Sequence, residues 1–192
     1  MNLLAWNCWG LGNHRAVEEL GELIQAKGPG IVFLSEPWST KTQIVGIRNE
    51  FKFDGLFTIS NENKGGGGLA MLWKDSVNVW VDSFSTYHID VIIHGGLADA
   101  WRLIGFYGEP DMSSRNEGWN MLRMLSSKPK LLWCCIGDFN ELLYVQEKRG
   151  GQPRAHSLMQ AFRDVLNHCG FVDLGYLSLD FTWHGRCRGE LI

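Results

Sequence analysis

No apolar run in this chain approaches the ~18 residues that a membrane-crossing helix needs, so no spanning segment is expected. The opening MNLLAWNCWG has neither the basic start nor the long apolar stretch of a secretory signal. Together these lead us to expect a soluble, intracellular protein. A strongly basic footprint is also missing, since 18 Lys and Arg stand against 21 Asp and Glu for a formal net charge of −3. That argues against a nuclease only weakly, because catalytic acids lower the net charge and a local basic patch suffices to hold nucleic acid. Cysteine is sparse and odd in number: Cys8, Cys134, Cys135, Cys169 and Cys187. None falls in a Cys-x-x-Cys spacing, and two are adjacent within an apolar run. Reduced core thiols fit this better than a disulfide framework or a zinc site. The glycine run KGGGG at 64–68 lacks the Gly-Lys-Ser/Thr ending of a phosphate-binding loop and reads as a flexible turn. There is no internal repeat, no low-complexity tract and no linker.

What is present suits one α/β domain over 1–192, a length that single domains commonly reach. Nine Trp and 23 Gly point to an aromatic-rich core or face and to tight turns at several strand ends. NLLAWN reads as a short buried strand. Asn13 can cap a helix whose stripe is Val17, Leu20, Leu23 and Ile24, with Gly28 and Pro29 ending it. IVFLSE is a second apolar strand, so the first forty residues suggest a crossover unit with two parallel strands. GLFTIS, GGLAMLW, VNVWVDSF, IDVIIH and RLIGFYG then read as a strand meander. A helix near 114–125 has a capping-box pattern at Ser114 and Glu117 and an apolar face of Trp119, Leu122 and Leu125. Another covers roughly 156–169, with Leu158, Phe162, Val165, Leu166 and Cys169 on one side and Gly170 at its end. LDFTWHG reads as a last short strand.

Four of the apolar strands stop at a chemically capable side chain. LLAWN ends at Asn7, IVFLSE at Glu36, RLIGFYG at Tyr107, and LLWCCIGDFN at Asp138 and Asn140. In extended chain, residues two apart share a face, so Asp138 and Asn140 can converge on one target. A polar residue at a strand end is ordinarily a turn former, and a lone tyrosine is ordinarily a half-buried core aromatic. Periodicity does not show whether the exits meet. If they do, two carboxylates, two amides and a phenol form a cluster suited to a hard divalent cation, which takes oxygen ligands and completes its shell with water and phosphate. Metal-assisted hydrolysis of a phosphate ester matches that set.

The motifs WN-x-x-G at 6–10, LSE at 34–36, GFYG at 105–108, IGDFNE at 136–141 and FTW at 181–183 resemble, in order and spacing, the endonuclease/exonuclease/phosphatase superfamily of DNase-I-like nucleases and abasic-site endonucleases. More narrowly, NCWGLGN, GGGGLAMLW, RNEGWNMLRML and GDFNELLYVQEKRGGQPR with the following MQAFRDVLNHCGFVDLGYLSLDFTW resemble the endonuclease domain of plant LINE-type (non-LTR) retrotransposons. The resemblance covers essentially the whole chain. It implies a four-layer α/β sandwich, two mostly antiparallel sheets face to face with helices outside. It also implies Mg2+-dependent (or Mn2+-dependent) phosphodiester hydrolysis of DNA, a downstream reverse transcriptase domain as fusion partner, and a nuclear site of action. By motif position Glu36 resembles the principal metal ligand with Asn7 beside it. Tyr107 resembles the tyrosine near the scissile phosphate, Asp138 the residue handling the water or leaving group, and Asn140 its phosphate-orienting neighbour. Thr182 and Trp183 resemble the motif flanking the substrate groove.

Several positions depart from the family. Trp9 stands where the family often has Arg, and Glu36-Pro37 replaces the common Glu-Thr. The family continues beyond TW with another acid and a Ser-Asp-His that this sequence does not contain. The domain is therefore expected to lack its last strands, to leave an unpaired edge at 176–183 with poor solubility, and to lose about 10²–10⁴ in rate for each missing group. Three functions follow from the resemblance: a DNA-nicking endonuclease, a catalytically crippled retroelement remnant that keeps the fold, or a phosphatase of the same superfamily. The loop EKRGGQPR adds Lys148, Arg149 and Arg154, which either grip substrate phosphates or are simply solvated.

Overall fold

The computed structural model describes residues 1–60, 67–128, 131–175, 177, 186–187 and 190–191. They form two compact units, Met1–Gly108 with Pro129–Phe139, and Glu109–Lys128 with Asn140–Ile192.

The first unit begins as the sequence suggests, with β1 (Leu3–Asn7), α1 (His14–Lys27) and β2 (Ile31–Ser35). Asn13 caps α1 by accepting from the Arg15 N–H at 3.0 Å. At the other end Gly28 takes a left-handed conformation, φ 55°, and returns its N–H to the Ile24 carbonyl. β1 and β2 pair in parallel from Leu3 opposite Ile31 to Asn7 opposite Ser35. A second helix, α2 (Lys41–Glu50), is absent from the sequence reading. Its signal is a capping box. The Thr40 hydroxyl accepts from the Gln43 N–H at 3.3 Å, and the Gln43 side chain accepts from the Thr40 N–H at 2.8 Å. Only Ile44 and Ile47 of α2 are buried, a stripe too thin to announce itself.

The strand-rich segment divides between two sheets. β3 (Gly55–Ile59) and β4 (Leu69–Trp73) pair antiparallel, and β4 lies against β2, giving the order β1-β2-β4-β3. β5 (Val79–Ser85), β6 (His88–Ile93) and β7 (Trp101–Tyr107) form an antiparallel meander, and β8 (Trp133–Asp138) joins β7 in parallel. The expected single meander is thus two pieces. β4 is apolar and buried on both faces, as an interior strand must be, whereas β5 alternates between half-buried and exposed residues as an edge strand does.

Alternation along β2 places the sheets. Ile31 and Phe33 point one way and pack, with Leu69 and Met71, against Ile89, Val91, Ile93 and Leu103 of the second sheet. Val32 and Leu34 point the other way, toward Leu20 of α1 and Ile44 and Ile47 of α2. The first unit is therefore a helix layer on one sheet and that sheet on the other, with each sheet mixed but mostly antiparallel as the resemblance implies.

A glycine keeps the two sheets close. A Cβ placed on Gly105 would lie 2.2 Å from Cδ2 of the fully buried Phe33 ring. Gly105→Ala should therefore destabilise the protein by about 1–3 kcal/mol, the usual cost of overpacking a filled core. Phe33→Leu in the same chain should recover part of it. Urea denaturation measures both, and an unchanged midpoint for Gly105→Ala would contradict this packing.

The second unit holds α3 (Arg115–Ser126) and α4 (His156–Cys169), with a turn of 3-10 helix at Val145–Glu147. The Trp119 and Phe162 rings stack with centroids 6.3 Å apart. Leu122 and Leu125 of α3 and Met159, Val165 and Cys169 of α4 are also buried, and Gly170 ends α4 in left-handed backbone. Of the side expected for α4, Met159 takes the buried place, while Leu158 and Leu166 are only half-buried. The capping box expected at Ser114 does not form, since Ser114 makes no side-chain cap. A two-stranded hairpin pairs β9 (Arg186–Cys187) with β10 (Glu190–Leu191). The strand expected across LDFTWHG, and the edge expected at 176–183, lie outside the described residues apart from Leu177. Among the described residues, no helix is long and apolar enough to cross a membrane.

Candidate active site

The site follows from the two parallel pairings of the first unit. Parallel strands end at the same edge, so β1 and β2 bring Asn7 and the residue after Ser35 together. Likewise β7 and β8 set Tyr107 directly opposite Asp138. The Asn7 side-chain amide donates from Nδ2 to Asp138 Oδ2 at 2.9 Å. The Tyr107 hydroxyl donates to Glu36 Oε1. Four of the five strand-end residues singled out in the sequence therefore meet, two from each sheet. Asn7 Oδ1 is buried and has no hydrogen-bond partner among the described residues. Burying a carbonyl oxygen unpaired is costly, so an orphan of this kind asks for a ligand.

Glu36 is held in an unusual way. It adopts left-handed backbone, φ 53°, a region that non-glycine residues enter at a cost and that recurs at functional sites. Its N–H donates to the Gly68 carbonyl at 3.1 Å, and the Trp38 N–H donates to the Gly67 carbonyl at 2.9 Å. The fit is close, since a Cβ on Gly67 would lie 2.3 Å from Glu36 Cα. Of the stretch 64–68 expected to be a flexible turn, Gly67 and Gly68 thus lie against the Glu36 backbone and hold it. Residues 61–66 lie outside the described residues.

Beyond the strands the β1 and β2 exits stay laced together. Cys8 donates its N–H to the Ser35 carbonyl at 3.1 Å, Gly10 to Glu36 at 2.8 Å, and Leu11 to Pro37 at 2.7 Å. The Cys8 thiol, 3.1 Å from the same Ser35 carbonyl, is pushed up to about 12, chiefly by burial. It stays protonated at neutral pH and supplies neither a nucleophile nor a thiolate ligand. Among the described residues no three His, Cys, Asp or Glu side chains group as a metal cage. The donors at this edge are two carboxylates, an amide oxygen and a phenol, an all-oxygen set.

The remaining sequence candidates belong to the second unit. Asn140 opens it in left-handed backbone, φ 53°. Lys148 donates from Nζ to the Gln152 carbonyl at 2.7 Å, and Arg149 is exposed. Arg154 Nε lies 2.9 Å from Glu141 Oε1, within ion-pair reach though off the line of a hydrogen bond. Thr182 and Trp183 lie outside the described residues. The sequence reading missed Glu141. Its side chain is fully buried and also accepts from Arg115 Nη1. Its position directly after GDFN was the available signal.

An α/β sandwich with carboxylates, an amide and a phenol gathered where its parallel strands end defines a class of phosphoesterase folds. The chain belongs to the endonuclease/exonuclease/phosphatase family, whose model matches residues 4–189. Among solved structures it is similar to the endonuclease domain of TRAS1, a telomere-specific non-LTR retrotransposon, at TM-score 0.65 and 17% identity over 99% of this chain and 80% of that one. It is also similar to the AP endonuclease LMAP from Leishmania major, at TM-score 0.61 and 13% identity over 87% of this chain and 66% of that one. A third likeness is to the 3′ phosphatase NExo from Neisseria, solved with a product DNA hairpin, at TM-score 0.58 and 14% identity over 86% of this chain and 70% of that one. At such identities the likeness is one of fold. No curated protein matches this chain.

Proposed function

We propose that this chain is a divalent-metal-dependent endonuclease that hydrolyses phosphodiester bonds in DNA, leaving nicks. The observation that carries the reading is the buried, unpartnered Asn7 Oδ1 beside Asp138, at the edge where Glu36 also lies. An amide oxygen and a carboxylate fit Mg2+ or Mn2+, which take oxygen donors and few carboxylates. Glu36 and Asn7 Oδ1 would hold the ion. When bound, it would offset negative charge on the phosphate and leaving oxygen.

The chain's own groups divide the rest of the work. Asp138 is the proton acceptor for the attacking water, and the Asn7 Nδ2–H fixes which carboxylate oxygen faces away from the amide. Tyr107 orients Glu36 through its hydroxyl and stands where it can hydrogen-bond a phosphate oxygen. Asn140, which opens the second unit, has the amide chemistry to hydrogen-bond a phosphate oxygen. DNA as substrate is supported by the family and by the similar structures, which include an endonuclease domain and a phosphatase solved with a product DNA hairpin. Conversion of supercoiled plasmid to open circle tests the reading. Nicking is expected in magnesium and not in EDTA. A folded protein that nicks no faster in magnesium than in EDTA returns the remnant reading. Release of phosphate from a 3′-phosphorylated oligonucleotide without nicking returns the phosphatase reading.

A further inference from the structure

Trp9 and Trp38 are placed where neither folding nor backbone preference puts a tryptophan. Each is in left-handed backbone, at φ 44° and 47°, a region where a bulky residue is a genuine outlier. Each is also exposed, 71% and 51%, so little burial offsets the strain. Both sit on the exits that carry the site, Trp9 two residues after Asn7 and Trp38 two residues after Glu36. The exits are rigid. The N–H groups of Gly10, Leu11 and Trp38 are all bonded to neighbouring backbone. Trp38 lies over the bare backbone next to Trp9, since a Cβ on Gly10 would be 3.9 Å from both Cβ and Cδ1 of Trp38. Strain kept at a site without a gain in burial points to use.

We propose that Trp9 and Trp38 form a stacking platform for an unpaired nucleobase of the substrate strand next to the phosphate that is cut. This rests on the nuclease reading above and names its substrate class: DNA with single-stranded character at the cleavage point. Neither exit, at 7–13 or 35–40, carries Lys or Arg, so these loops cannot grip a phosphate by charge. They offer aromatic faces instead. A base inside a duplex already has both faces covered, so only an unstacked base can use them.

The test is binding of a short labelled oligo(dT) by the full chain in EDTA, followed by fluorescence anisotropy. The comparison probes are a base-less strand of the same phosphate count and a blunt duplex. The wild type should bind oligo(dT) more tightly than either. Trp9→Ala/Trp38→Ala should weaken oligo(dT) binding by about 10- to 100-fold, the scale of losing a stacked base, and bring it level with the base-less strand. Trp9→Phe/Trp38→Phe should keep most of the affinity, which guards against a folding defect in the alanine pair. The proposal is overturned if the wild type binds the base-less strand or the duplex equally well, if it binds no oligo(dT), or if the alanine pair binds as the wild type does. Because no cleavage is needed, the two readings fail separately. Plasmid left supercoiled with base-dependent binding intact counts against the nuclease, whereas nicking with base-independent binding counts against the platform.

Discussion

Asp138→Asn should lower magnesium-dependent nicking by about 10²–10⁴-fold, the usual range for losing a positioned proton acceptor, with stability close to wild type. Asparagine keeps an oxygen that can accept from Asn7 Nδ2, so the edge contact between β1 and β8 survives while the negative charge and the proton acceptor go. Asp138→Ala should be as inactive but less stable, because it strands the half-buried Asn7 amide, a loss of about 1–3 kcal/mol for an unsatisfied group. Asn7→Ala removes both the carboxylate's partner and the orphan oxygen, and should also cost two or more orders of magnitude, by analogy with removal of one positioned polar group. If Asn7 and Asp138 act as a unit, the double variant Asn7→Ala/Asp138→Asn should be little worse than the worse single. Tyr107→Phe takes away the hydroxyl that donates to Glu36 and should cost about ten- to a hundredfold, the scale of a bond to a charged acceptor. Plasmid nicking rates and thermal melts on the same samples decide. Additive losses in the double variant would mean that Asn7 and Asp138 work independently, and full activity of Asp138→Asn would remove Asp138 from the chemistry.

Why four of these residues were visible in the sequence is clear from where they sit. An apolar strand that stops at Asn, Glu, Tyr or Asp marks a change from core to edge, and a single chain records that change locally. Their convergence is not local. It depends on β1 pairing with β2 and β7 with β8 in parallel, and on the two sheets packing through Phe33 over Gly105. The first crossover was legible because α1 has a full apolar stripe and clear caps. α2 was not, because its ten residues carry only Ile44, Val45 and Ile47 as large apolar positions, interrupted by Gly46. Glycine misled in a specific way: a run of glycines reads as looseness, but Gly67 is glycine because the Glu36 backbone lies against it. The strand-rich segment could be split only by knowing partners, since pattern tells how many faces of a strand are buried and not which sheet buries them.

The basic loop was the least legible feature, and it sets up the other large effect. Glu141→Ala should destabilise the second unit by about 3–5 kcal/mol, the cost of stranding a buried charge, or roughly 10 °C in melting temperature at this size. The Glu141 carboxylate is fully buried between two guanidinium groups, Arg115 with 5% of its side chain exposed and Arg154 with 22%. Without it Arg115 keeps, among the described residues, the carbonyls of Glu109 and Pro110, both at 3.3 Å, which do not neutralise its charge. Arg154 can turn toward water, so Arg154→Ala should cost only about 1 kcal/mol, as for a partly screened pair. That difference separates its two possible uses. If Arg154 serves the fold, Arg154→Ala lowers the urea midpoint slightly and leaves the salt dependence of DNA binding unchanged. If it also reaches a phosphate, the slope of log K against log salt becomes shallower by about 0.9. Lys148, whose ammonium donates to the Gln152 carbonyl, and the exposed Arg149 should then give slope changes of their own. A Glu141→Ala protein that melts like the wild type would show that the buried cluster does not hold α3 and the loop before α4 in place.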